Sequence, residues 1–305
     1  MSESGGPKTG LMDIGKEAKP PFAVLPDPPV VFLNRAKRLE DLAPGHPLEA
    51  YLQFLATVTR TQHEILPELP IAALPPPDRI AQALEHGMPP IARTSFEIDD
   101  TAMATVERLI DRLAAADLPP ATASIVQSLL QITAAERRVL ASAILSDAKA
   151  ADDVAQRALI AAGLQVHFTR LAALLDADDL KPITDGVCPT CGSGPMTSSV
   201  VGWPNAHNSR FCACPLCSTM WNVVRVKCVL CSTTEGISYH TIEGQPETVK
   251  AETCEKCHAY VKILYQVNDA PLEPMADDVA TLGLDMLMTQ EGWKRGGHNP
   301  FLMGY

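Results

Sequence analysis

Nine cysteines, all between Cys188 and Cys257, are the residues of this chain best suited to chemistry. Eight of them form four CxxC pairs: Cys188/Cys191, Cys214/Cys217, Cys228/Cys231 and Cys254/Cys257. A CxxC turn brings two thiolates to one metal, and two such knuckles complete a tetrahedral four-sulfur site. Shifting the first two pairs by 40 residues lands them on the last two, with 22 residues between the inner cysteines in both copies. Arg210 then falls on Lys250, and the apolar run Met220–Val226 on Tyr260–Gln266. The block is an internal duplication of a four-cysteine module. Tetrahedral sulfur ligation admits zinc or iron. A site filled by four cysteines keeps no open position for a substrate, which argues against hydrolytic catalysis. The rival reading is a set of redox dithiols. Thioredoxin-like use needs a βαβ context that the flanking sequence lacks.

The residues between the knuckles must leave and return. In the second copy Ile237–Ile242 alternates, Glu243–Pro246 turns and Thr248–Ala251 comes back, the pattern of a hairpin. Modules this small need a metal to supply folding energy. Cys212 is the ninth cysteine, and its counterpart is Glu252, so it lies outside the duplicated ligand set. It reads as a small buried side chain, the sharper alternative being a spare thiol that swaps into the site or is oxidised. His207, His240 and His258 also lie in the block, and His258, next to Cys257, is a candidate neighbour of the site.

The chain that must position these cysteines has 305 residues, 46% of them hydrophobic and 20% charged, the balance of a globular protein with room for two or three domains. No apolar run approaches the ~18–20 residues that span a bilayer, and Met1–Pro29 has no apolar signal-peptide core. A cytoplasmic protein without membrane insertion is expected. With 36 acidic against 25 basic residues the formal charge is -11, and residues 181–270 hold seven of each sign. A nucleic-acid binder needs a basic footprint. A zinc-ribbon nucleic-acid module is therefore the weakest reading.

Residues 1–28, rich in Gly and Pro, read as a flexible arm. Residues 29–180 read as an all-helical domain. Phe32, Ala36 and Leu39 recur at the helical period, and so do Leu52, Leu55 and Val58. The proline-rich stretch 66–99 predicts an irregular wrap around the helical body, holding a short helix from Asp78 to His86 closed by Gly87. Asp99-Asp100 can cap a helix bearing Met103, Val106, Leu109, Ile110 and Leu113. Thr133 and Glu136 have the spacing of a capping box. No catalytic motif stands out, and His46, His63, His86 and His167 are isolated. The composition changes at Lys181-Pro182. Residues 181–226 and 227–270 form two tandem rubredoxin-like, zinc-ribbon-like modules. Residues 271–305 form a C-terminal helix and tail, in which Trp293 and Phe301 are read as packing groups.

The order Cys188-Pro-Thr-Cys-Gly-Ser193, Arg210-Phe211, Cys214-Pro-Leu-Cys217, Trp221 and Val224-Arg-Val-Lys-Cys228 resembles the formate dehydrogenase accessory protein FdhE family. So do Lys250-Ala-Glu-Thr-Cys254, Lys262-Ile-Leu-Tyr265, Ala276-Asp-Asp278 and Asn299-Pro-Phe301. The resemblance runs from about Leu180 to the C-terminus. It implies a cytoplasmic, non-enzymatic maturation factor for respiratory formate dehydrogenase, acting on the catalytic subunit before export. It also implies two mononuclear iron sites held by Cys188, Cys191, Cys214 and Cys217 and by Cys228, Cys231, Cys254 and Cys257, with zinc as the alternative. A metal–thiolate redox protein is the competing function, since a closed four-sulfur iron site can cycle one electron.

Overall fold

A computed structural model describes residues 19–148 and 153–302. Residues 1–18 of the expected arm, and 303–305 of the tail, lie outside the described residues. What is described of the arm is not free. Strand β1 (Ala23–Val24) pairs antiparallel with Trp221 and Met220, and Asn222 N–H donates to Phe22 O. The strand through Met220–Val223 would otherwise expose one row of N–H and C=O groups, and the arm covers that edge.

Seven helices of the described residues follow. They are α1 (Pro28–Leu42), α2 (Glu49–Glu64), α3 (Pro77–Glu85), α4 (Asp100–Ala114), α5 (Pro120–Gln131), α6 (Ala134–Leu145) and α7 (Val154–Ala172). Proline at the first turn opens α1, α3 and α5, where a missing N–H costs nothing. The Asp99 carboxylate accepts the Ala102 N–H at 2.7 Å and caps α4. The Thr133–Glu136 capping box starts α6 as the spacing predicts. Helix α7 is the axis of this body, buried almost all round from Leu159 to Thr169. At Gly163 a Cβ would lie 2.7 Å from Val106 Cα, so only glycine lets α7 and α4 lie this close.

The cysteine block is strand-rich. Strands β2 (Thr197–Val200), β3 (Arg210–Ala213) and β4 (Met220–Val223) form one antiparallel meander. β5 (Ile237–His240), β6 (Val249–Cys254) and β7 (Ala259–Leu264) form the second, which contains the expected hairpin. The duplication is thus one of backbone as well as of cysteines. The two meanders share one sheet, because β2 pairs parallel with β7; the order is β1-β4-β3-β2-β7-β6-β5.

The C-terminal segment differs from the single helix expected. It holds α8 (Ala276–Ala280), α9 (Leu282–Gln290) and β8 (Lys294–Arg295), the last paired with β7. At the break the Lys262 ammonium donates to the carbonyls of Asp278 (2.7 Å) and Thr281 (3.1 Å). The break turns Leu284 and Met288 into the protein and leaves Met286 and Leu287 exposed.

Candidate metal centre

The two halves of the sequence repeat each close into a cluster of four thiols. Cys188, Cys191, Cys214 and Cys217 gather with all sulfurs within 4.8 Å of one another, and so do Cys228, Cys231, Cys254 and Cys257. The knuckles interlock crosswise. Sγ–Sγ distances are 3.6 Å for Cys188–Cys217 and 3.4 Å for Cys191–Cys214, then 3.8 Å for Cys228–Cys257 and 3.6 Å for Cys231–Cys254. A tetrahedron with metal–sulfur bonds of about 2.3 Å has edges of about 3.8 Å, while a disulfide needs about 2.05 Å. All nine cysteines are unbridged. The donor set and its spacing fit one thiophilic cation per cluster.

Local backbone explains the geometry. Each knuckle turns back through a left-handed residue: Gly192 (φ +79°) and Ser218 (φ +58°) in the first copy, Ser232 (φ +68°) and His258 (φ +55°) in the second. That bend directs N–H groups at sulfur, as when Leu216 and Cys217 donate to Cys214 Sγ at 3.4 Å. Such bonds favour the thiolate. Burial acts the other way. It pushes the Cys188 and Cys217 thiols well above their ordinary range and Cys228 up to about 12, while bonds from their neighbours hold Cys191 and Cys231 below it. A metal cation resolves the conflict by supplying the positive charge that four clustered thiolates lack.

The surroundings of the clusters differ. The first is fully buried and belongs to the same apolar core as the helical body. The proline-rich wrap clips onto it: Ile91 N–H donates to Thr190 O (3.2 Å) and Arg93 N–H to Cys191 O (2.9 Å). From α7, Gln165 donates to Pro215 O at 2.7 Å. Ser193 Oγ lies 3.3 Å from Cys191 Sγ, and Thr219 Oγ1 lies 3.2 Å from Cys217 Sγ. In the second cluster Cys231 and Cys257 are only half-buried. Its cover is the C-terminal segment, where Lys294 N–H donates to His258 O and Trp293 stacks on the His258 ring at 4.7 Å.

Cys212 belongs to neither cluster. It is buried on β3, opposite Ser198 and Trp221, and burial pushes its thiol up to about 12. This is the small buried side chain expected, and its proton makes it a poor nucleophile. His207 and His240 are not in either cluster.

Two buried charge groups carry positioning roles that spacing did not reveal. Arg210 on β3 is fully buried and donates to both carboxylate oxygens of Glu252 on β6, at 2.8 and 2.9 Å, and to Ser198 Oγ. It ties the first meander to the second. Lys262 on β7 lies between Asp278 (3.2 Å) and Asp285, and Arg295 pairs with the same two carboxylates. Asn299 donates to Asp278 and Tyr260 to Asp285. This group locks α8, α9 and β8 onto the second meander. Arg210, Lys262 and Asp278 all lie in the quoted motifs, but their partners are up to 42 residues away in sequence.

Comparison with known proteins covers the helical body and the cysteine block alike. Three family models match: "FdhE, N-terminal" over residues 20–185, "FdhE, central domain" over 187–225 and "FdhE, C-terminal domain" over 226–302. A protein FdhE homolog of Rhizobium meliloti is 40% identical over 297 residues, 96% of each chain. One from Edwardsiella ictaluri is 35% identical over 281 residues, covering 92% of this chain and 90% of that one. The crystal structure of the FdhE protein from Pseudomonas aeruginosa matches with a TM-score of 0.84 at 30% identity, covering 93% of this chain and 99% of that one.

Proposed function

The chain belongs to the FdhE family, and from that premise we propose that it is an accessory factor for the assembly or activation of respiratory formate dehydrogenase. It acts on the catalytic subunit in the cytoplasm and is not itself an enzyme. The eight paired cysteines hold two metal ions, iron in preference to zinc, and the helical body with its loops presents the surface for the partner. The observation that carries this reading is the match of the whole described chain, helical body and cysteine block together, to one family. The donor chemistry supports a binding role. Four cysteines close each cluster, and among the described residues no further His, Asp or Glu joins either one.

Deleting the gene tests the reading. Respiratory formate dehydrogenase activity should be lost from the host while its catalytic polypeptide is still made, and the tagged chain should retain that polypeptide from cytoplasmic extract. Unchanged activity in the deletion strain would overturn it.

A further inference from the structure

The two clusters have the same ligands and the same backbone, yet they face different surroundings. In the first, Cys188, Cys191, Cys214 and Cys217 are all sealed under the helical body. Reaching them requires parting the wrap at Ile91 and Arg93 and the α7 contact at Gln165. In the second, Cys231 and Cys257 are partly open to solvent. Ser193 keeps a counterpart in Thr233, but the wrap and α7, which lie outside the repeat, have none. Thr219, whose hydroxyl touches Cys217, is replaced at the duplicated position by Ala259, and Thr190, held by the wrap, is replaced by Leu230. The knuckle of Cys228 and Cys231 rests on the main core through Val229 and bonds Asp185 through Ser232, while the knuckle of Cys254 and Cys257 is covered by Trp293 on His258 and by β8 on β7, and Cys231 and Cys257 stay at the rim.

We infer that the two centres are unequal in exchange. The second is an addressable site that gives up and takes up a thiophilic divalent metal from solution in the folded protein. The first keeps its metal until the helical body separates from it. The cost of reaching a buried site is the free energy of the opening that exposes it, whereas a half-exposed site needs only a local fluctuation. Thiol reactivity follows exposure in the same way. This inference rests on the reading that each cluster holds a metal.

The test uses the full chain loaded with zinc without oxygen. Release is followed with the colorimetric chelator pyridylazoresorcinol, and thiol access with N-ethylmaleimide read by peptide mass spectrometry. One zinc per chain should leave roughly tenfold faster or more than the other. Cys231 and Cys257 should be labelled before any of Cys188, Cys191, Cys214 and Cys217. Trp293→Ala should quicken the fast phase and leave the slow one unchanged. Release of both metals in one phase, labelling of the first cluster ahead of the second, or an equal effect of Trp293→Ala on both phases would each overturn the inequality. A chain that takes up neither zinc nor ferrous iron would instead overturn the two-metal reading beneath it.

Discussion

The two cysteine modules began as the same sequence and now do different work in the fold. The first is part of the main core: its four sulfurs pack in one apolar cluster with Phe32, Val106 and Phe168 of the helical body. The second stands at the far end of the shared sheet and is braced by a charged lock, Lys262 and Arg295 against Asp278 and Asp285. Duplication preserved what the metal needs, the knuckle backbone and the ligands. It let the surroundings diverge, because burial is decided by neighbours outside the repeat. Identical ligand sets can therefore differ in stability and access.

The largest effect that would separate the modules comes from removing one ligand of each. A structural zinc contributes on the order of 10–16 kcal/mol to small metal-folded units, against about 5–15 kcal/mol of net stability for a whole domain. Cys214→Ser should therefore unfold the first module and loosen the helical body packed on it, seen as lost helical circular dichroism and lost cooperativity on heating. Cys231→Ser should lose one metal and leave the helical signal intact. Equal damage from the two would remove the contrast.

Next in size is the tie between the modules. Glu252→Ala strands the fully buried Arg210 guanidinium, and breaking a buried pair on one side costs about 3–5 kcal/mol. Denaturant unfolding should show that loss, with a second transition as the modules uncouple.

Acid should weaken the side of the first module. His167 on α7 is buried edge-on beside Phe96 and Phe168, and burial lowers its pKa to about 4. Unfolded, its pKa returns to about 6.5. The unfolded chain then binds the extra proton below that value, so stability falls as the pH drops from about 6.5 to about 4 and levels off below. The full loss from this group is about 3 kcal/mol. Burial also lowers the pKa of His298, which adds in the same direction. His167→Leu should flatten the decline; an unaltered pH profile would place its origin elsewhere. The smallest effect is Gly163→Ala. Its methyl meets Val106 at the α4–α7 crossing, for a cost of about 1–3 kcal/mol in thermal unfolding, and the second cluster's metal should be unaffected.

Which parts of this were readable from the chain alone follows from the range of the interactions. The cysteine pairs, the hairpin of the second copy, the Asp99 cap and the Thr133 box are local, with spacings fixed by backbone geometry. The helical body was legible from the recurrence of Phe32, Ala36 and Leu39 because α1 turns those positions to the core. What escaped depends on residues distant in sequence. The arm's Ala23 pairs with Trp221, the Lys262 ammonium binds carbonyls where α8 gives way to α9, and Ile91 and Arg93 close over the first knuckle. Arg210 was visible as a repeat position aligned with Lys250. Its bond to Glu252 breaks that symmetry and could not be read from it.

The most direct measurement is metal content per chain, with an absorption spectrum, on protein purified without oxygen. The expected result is two metals per chain, with thiolate-to-iron charge-transfer bands if the metal is iron and no colour if it is zinc. A chain that folds with its eight paired cysteines free and no metal bound would contradict the two-centre reading.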